Sequence, residues 1–247
     1  MLRKTVFAAL IGLALPAHAF DLNSMSADEK EAFGQAVREY LLENPETIFE
    51  AVEVLRKREA EAEATADLNL VAANADAIFN DGFSYVGGNP EGDITVVEFM
   101  DYRCGYCKRA HTAVEELIKA DGNIRFIVKE FPVLGEASEM ASAFAVAVKQ
   151  LHGDAAYKAT HDTLLTFNGD INEKTLRRLA TILGHDDQAV LDQMNQESVM
   201  KEIAETRLLA ARLQINGTPT FVFDDELVRG AVSLETMTSL VAAKRQD

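Results

Sequence analysis

Cys104 and Cys107 are the only cysteines in the 247-residue chain, and they are separated by Gly105 and Tyr106. Two thiols at this spacing can exchange with a partner's disulfide: the first attacks as a thiolate to form a mixed disulfide, and the second releases the partner by attacking the first. Two other uses fit less well. A structural staple over so short a loop removes little entropy from the unfolded chain. A structural zinc site takes about four ligands, and no second cysteine pair exists to supply them.

The pair falls at a junction. The β-branched, apolar run Ile94–Phe99 reads as a buried strand, and Lys108–Ala120 has the mixed pattern of a helix. The free N–H groups and partial positive charge of a helix start favour a thiolate, and Arg103, Lys108 and Arg109 add formal charge nearby. Cys104 is expected to face outward as the nucleophile. Cys107, one turn in and shielded by its own helix, is expected to act as the resolving thiol. A C-x-x-C pair beside a strand–helix–strand pattern reads as thioredoxin-like.

At the front of the chain, Arg3 and Lys4 precede an apolar run over Val6–Leu15 and the small-residue site Ala17-His18-Ala19, the pattern of a cleaved secretory signal over residues 1–19. That run is shorter than the roughly 20 residues a membrane span needs, so export to the periplasm without a membrane anchor is expected. Taking Arg3 and Lys4 from the 24 basic residues leaves 22 against 40 acidic ones, a formal charge of −18. Nucleic acid and anionic membrane surfaces are poor partners for such a chain.

Residues 20–80 are acidic and alanine-rich. Ser26 and Glu29 form a capping-box pattern ahead of Phe33, Val37, Tyr40 and Leu41 at helical spacing, and Asn44-Pro45 breaks that helix. A second run carries Ile48, Phe49, Val52 and Leu55 on one face and continues into Glu59-Ala60-Glu61-Ala62-Glu63-Ala64, which has almost no apolar stripe. Two short amphipathic helices offer too little apolar surface to offset their ordering entropy. Packing on the rest of the chain is one solution; self-association, with the alanine-rich run as a spacer, is the reading preferred here.

From residue 81 a second domain begins, with Phe83–Val86 as a short strand, Ile124–Phe131 as a core strand ended by Pro132, and a helical block within residues 136–215. Asn216–Phe223 and Glu226–Arg229 read as two late strands and Ser233–Lys244 as the closing helix. His152, His161 and His185 fall near helix ends or on polar faces, where solvation or capping is the ordinary reading. None pairs with another at a metal-ligand spacing. Neither a metal site nor a cofactor is expected.

Cys-x-x-Cys after an apolar strand, the helical block inserted midway, and Gly217-Thr218-Pro219-Thr220-Phe221 opening a late strand together resemble the DsbA family of thiol–disulfide enzymes, from about Phe83 to the C-terminus. The resemblance implies an α/β thioredoxin fold with an inserted helical subdomain behind an α-helical N-terminal arm. It implies a cis Pro219 lying against the cysteines, with Thr218 and Pro219, beside Gly105 and Tyr106, forming the substrate-docking edge. It also implies a buried acid, Glu98, that accepts the proton of Cys107, with Lys129 matching a lysine that partners this acid in some members.

The arm is similar to that of the suppressor-of-copper-sensitivity protein C branch, whose known arms make trimers, so a homotrimer is favoured. Cys-Gly-Tyr-Cys and Thr218 also look like the dimeric periplasmic isomerase, and the chain lacks the Cys-Pro-His-Cys of strong monomeric oxidases. An isomerase or reductase acting on unfolded or misoxidised exported proteins, kept reduced by a membrane thiol reductase of the DsbD/ScsB type, is therefore preferred to a DsbA-like dithiol oxidase. A third reading is a Cu(I)-binding module, since soft thiolates select Cu(I), with His111 imaginable as a further ligand but expected on the helix surface.

Overall fold

The computed structural model describes residues 25–246, so the expected leader over residues 1–19 lies outside it. The chain forms two compact units that divide between Arg58 and Glu59. In the first, Ser26 caps α1 (Ala27–Glu43): its hydroxyl accepts from the Glu29 amide at 3.3 Å while the Glu29 carboxylate accepts from the Ser26 amide at 2.7 Å. Pro45 follows, and α2 (Glu46–Ala73) begins directly after it. No residue of α1 is buried. Phe33, Val37, Tyr40, Ile48, Phe49, Val52 and Leu55 all stand exposed.

The second unit contains the end of α2, the short α3 (Ala75–Phe79), and β1 (Tyr85–Gly88), β2 (Ile94–Met100), α4 (Gly105–Asp121) and β3 (Ile124–Glu130). Five helices follow: α5 (Glu136–His152), α6 (Asp154–Thr166), α7 (Glu173–Ile182), α8 (Asp187–Met194) and α9 (Glu197–Arg212). The chain then closes with β4 (Thr220–Phe223), β5 (Glu226–Arg229) and α10 (Leu234–Lys244). The sheet order is β1-β3-β2-β4-β5, with β2 and β3 parallel and the other pairs antiparallel. This is the expected α/β thioredoxin fold with its helical insertion between β3 and β4. Gly122, at φ +73°, ends α4 in the left-handed conformation that glycine adopts at least cost.

Strands that alternate sides every residue give this sheet two buried faces. Val96 and Met100 of β2 join Phe126 and Val128 of β3, Phe221 and Phe223 of β4, and both cysteines in one core. Val97 and Phe99 join Ile127 and Val222 in the other. That second face is apolar and has to be covered, and Val71 of α2 and Ile78 of α3, which follow the alanine-rich run, are buried there. Asp67 of α2 binds the Arg229 guanidinium at 2.6 and 2.8 Å. The boundary expected at 80/81 therefore falls earlier, within α2.

The same alternation corrects the pairing suggested for Lys129. In register Lys129 lies beside Phe99 and Glu98 beside Val128, so the two side chains leave opposite faces of the sheet. Lys129 is fully buried and donates to the Ala77 carbonyl at 2.9 Å and the Asp81 carboxylate at 2.5 Å. Asp81 is pushed up by burial, but the Lys129 charge and the hydrogen bonds from Lys129 and Ser84 outweigh that and hold it below the usual carboxylate range. Asp81 also accepts from the amides of Phe83 and Ser84, which fixes the entry to β1.

Removing one partner of a buried ion pair leaves the other charge unpaired, so Asp81→Ala should cost about 3 kcal/mol in urea denaturation at neutral pH. Adding Lys129→Met, which removes the stranded charge, should recover part of that loss.

Candidate active site

Cys104 is the N-cap of α4, whose first turn, from Gly105, runs ahead of the helical pattern at Lys108–Ala120 and holds Cys107. Its amide donates to the Asp101 carbonyl at 3.0 Å, closing the turn out of β2. The Asp101 side chain is fully buried and organises that turn. Oδ1 accepts from the Arg103 amide at 2.7 Å and the Ser138 hydroxyl at 2.8 Å, and Oδ2 from the amides of Val133 and Leu134 at 2.8 and 3.1 Å. One carboxylate thus ties the exit of β2 to the exit of β3.

Both cysteines are free thiols. Cys104 is 6% exposed and Cys107 1%, so Cys104 is more enclosed than the outward position expected of it. Its Sγ donates to the Thr218 carbonyl at 3.1 Å. The Thr218–Pro219 peptide bond is cis. Chain segments 114 residues apart are thereby joined at the head of α4, bringing Cys104, Cys107, Thr218 and Pro219 together. The Thr218 amide has no backbone acceptor among the described residues.

On the outer side of the pair, Gly105 leaves open surface: a Cβ there would meet only the Arg109 guanidinium, at 3.6 Å. Tyr106 is 61% exposed, and Arg109 lies 4.3 Å over its ring. Lys108 is turned away to the Phe167 carbonyl at the end of α6. Burial, and then the charge of Arg103, hold its ammonium below the ordinary lysine range.

Behind the pair the site is acidic and dry. Glu98 is buried, and burial, with the charges of Glu115 and Glu130, pushes its carboxyl up to about 8. Burial and then the charge of Glu98 push the Cys107 thiol far up. Glu130, beside Met100 on the same sheet face, is pushed up to about 7 by burial even though three hydroxyls donate to it. Tyr157 and Tyr102 reach Oε1 at 2.6 and 2.7 Å, and Ser142 reaches Oε2 at 2.7 Å.

The Tyr102 hydroxyl also meets His161 Nδ1 at 3.1 Å. His161 is buried, against the sequence expectation of a solvated or capping histidine, because α6 packs that face over the sheet core. Burial, then the charges of His111 and Lys158, push the ring down to about 3, so it is neutral. His111 is half-buried rather than on the open helix surface, with Nε2 3.4 Å from Asp162.

Asp101, Tyr102, Glu130 and Tyr157 carry no motif that marks them in the sequence, and His161 is marked there only as a solvated or capping residue. One signal was present: two adjacent charges, Lys129 and Glu130, end a run otherwise fit for a buried strand, and alternation must send one to each face. No spacing rule links Glu130 to Tyr157 or His161, whose contacts arise only when the insertion folds back.

A family model described as the DSBA-like thioredoxin domain matches residues 95–242, and one described as the copper resistance protein ScsC N-terminal domain matches residues 29–62. A solved thioredoxin-like oxidoreductase from Silicibacter pomeroyi DSS-3 is 41% identical, covering 70% of this chain and 99% of its own, with a TM-score of 0.67. Proteus mirabilis ScsC in a transitional conformation is 25% identical over 90% of this chain and 98% of its own, with a TM-score of 0.65. Among curated proteins, the Na(+)/H(+) antiporter NhaA 1 of Salinispora arenicola is 29% identical over 159 residues, 64% of this chain. The chain spans about a quarter of the length of that relative (24%). Among the described residues no helix is long and apolar enough to cross a membrane. With the DSBA-like model covering more than half of the chain, onto a sheet that carries Cys-x-x-Cys at the head of α4 opposite a cis proline, this chain belongs to the DSBA-like thioredoxin domain family.

Proposed function

We propose that the chain is an exported thiol–disulfide oxidoreductase that reshuffles or reduces disulfides in periplasmic protein substrates. The observation that carries this reading is Cys104 Sγ, held at the head of α4 and 3.1 Å from the Thr218 carbonyl, with Cys107 behind it against Glu98. The printed description of the Silicibacter pomeroyi neighbour as an oxidoreductase supports the same chemistry.

The Cys104 thiolate attacks one sulfur of a substrate disulfide. That S–S bond breaks, the substrate keeps one thiolate, and the other sulfur joins Cys104 in a mixed disulfide. If another substrate thiolate then attacks the mixed disulfide, Cys104 is returned and the substrate has exchanged one pairing for another with no net electron transfer. If instead Cys107 attacks Cys104 Sγ, its proton passes to Glu98, the second substrate thiolate leaves, and Cys104–Cys107 is the oxidised product. The extended substrate strand docks on the Thr218–Pro219 edge, where the Thr218 amide is available, and rests against Gly105 and Tyr106.

Resolution oxidises the pair by two electrons, so a reductase needs an external dithiol to restore it. A membrane thiol reductase of the DsbD/ScsB type fills that role in this reading. The exposed apolar residues of α1 and early α2, and the ScsC N-terminal match over 29–62, support a homo-oligomer, with a trimer preferred. Several sites facing one enclosed surface give a tethered substrate a high effective concentration of further thiols.

Reactivation of a substrate with scrambled disulfides in a glutathione buffer tests the function directly. The full chain should reshuffle, and a form lacking residues 20–55 should keep simple dithiol exchange but lose reshuffling. Oxidation of reduced substrate without reshuffling by either form would make the protein a dithiol oxidase. Cys107→Ala should accumulate substrates as mixed disulfides on Cys104, visible by non-reducing electrophoresis.

Glu98 gives a pH-dependent outcome. Its carboxyl is the proton acceptor only when ionised, so resolution by Cys107 should accelerate as pH rises toward about 8. In Glu98→Gln the rate should fall by about 100-fold and lose that pH dependence. For stability the sign is opposite. A carboxyl whose folded value, about 8, lies above its ordinary 4.5 binds a proton in the fold that the unfolded chain has released, so stability falls as pH rises between the two. Glu98 should therefore take at most about 1.4 kcal/mol per pH unit from the stability of the reduced protein as pH rises from about 5 to about 8, and Glu98→Gln should remove that share in equilibrium denaturation while leaving the share of Glu130, which is also raised, to about 7.

A further inference from the structure

We propose that His111 of α4 with His161 and Asp162 of α6 forms a binding site for one borderline divalent metal ion of the Zn(II) type. One ligand atom from each of the three lies within 4.8 Å of the others, and His111 Nε2 is 3.4 Å from Asp162 Oδ1. Two imidazoles and a carboxylate are the donor set that zinc, copper, nickel and iron prefer to calcium or magnesium. His111 and Asp162 are partly exposed, so an ion and its water can enter from solvent.

A chance cluster of surface side chains has no orienting partners behind it, and this one does. The single proton of the Tyr102 hydroxyl is donated to Glu130 Oε1 at 2.7 Å, so toward His161 Nδ1, 3.1 Å away, its oxygen must accept. Nδ1 therefore carries a hydrogen toward that oxygen, and Nε2 is the ring nitrogen left to ligate. A ring nitrogen protonated toward a hydroxyl–carboxylate pair, with the other nitrogen free to ligate, is the arrangement that fixes the tautomer of metal-binding histidines.

One charge opposes the ion. Lys158 Nζ lies 2.7 and 2.6 Å from the two Asp162 oxygens and 3.1 Å from Glu115 Oε1. A divalent ion takes its place at Asp162, and the ammonium stays paired with Glu115. Because His111 follows Cys107 by one helical turn, the ion ties the helix of the cysteine pair to the inserted helices. The site does not include the thiols.

The full chain, with Cys104 and Cys107 oxidised to a disulfide so that thiolates cannot bind, is titrated with Zn(II) by calorimetry. One equivalent per chain is expected. His111→Gln and Asp162→Asn, both at partly exposed positions, should each weaken binding by about tenfold or more while keeping the far-UV spectrum, as should Tyr102→Phe through the lost orienting bond. Lys158→Gln should tighten it. Co(II) in place of Zn(II) should give visible bands of nitrogen and oxygen ligation. Absence of stoichiometric binding would overturn the proposal, as would binding indifferent to both His111→Gln and Asp162→Asn. The latter result would place the ion elsewhere, for example on the stacked rings of His152 and His185, 4.4 Å apart.

Discussion

Which way β2 faces governs the rest of the site. Val97 and Phe99 must point into the core beneath α2 and α3, so Val96, Glu98 and Met100 point to the face that α4 covers. A carboxyl is thereby committed to a dry interior beside a thiol. Leaving it ionised there is costly, and the fold answers by holding the proton, with Glu98 raised to about 8. Slipping β2 by one residue would send Glu98 to the Lys129 side and separate it from Cys107. The proton chemistry of the pair is therefore a consequence of register, fixed by the apolar residues on either side of Glu98 rather than by Glu98 itself.

Glu130 on the same face is handled differently. It has three hydroxyl donors, from Tyr102, Tyr157 and Ser142, yet burial still outweighs them. Tyr102 stands between Asp101 and Arg103 in the turn that leads to Cys104, whereas Ser142 and Tyr157 belong to α5 and α6. A half-satisfied buried network is worse than an apolar core, while a satisfied one fixes a unique arrangement of the elements that supply it. Here it sets the insertion against the redox turn. Asp101 does the same from the other side by accepting from Val133, Leu134 and Ser138. The two carboxylates make the position of the insertion relative to Cys104 a matter of hydrogen-bond geometry as well as packing.

The legible part of the molecule is the part whose information is local. The apolar, β-branched run Ile94–Phe99, the capping box at Ser26 and Glu29 and the break at Pro45 each act within a few residues, and each element appears close to where its pattern placed it. The helical sequence pattern is clear only from Lys108, because Gly105 has little helix-favouring character, and the Asp101 turn fixes the start of α4 at Gly105. The illegible part depends on contacts across long separations. The family resemblance implies Lys129 as a partner of Glu98, and only the parallel register shows that it belongs to the other face. His111 and His161 have no ligand spacing in sequence; α4 and α6 bring them together.

The N-terminal residues pose a different physical problem from the rest. In α1 nothing is buried, and the apolar residues of that helix and of early α2 remain in water. Exposed singly such residues are ordinary, but a run at helical spacing along two successive helices is apolar area that association can remove from solvent. From Glu59 onward the same helix behaves otherwise: its apolar positions are sparse, yet Val71 is buried and Asp67 holds Arg229 of the edge strand β5. One helix thus changes task along its length, with an unsatisfied apolar stripe before residue 58 and a face that completes the sheet's second core after it. Substitutions in these two halves act on different equilibria, because early α2 contributes apolar area available for association and late α2 contributes burial that the monomer already possesses.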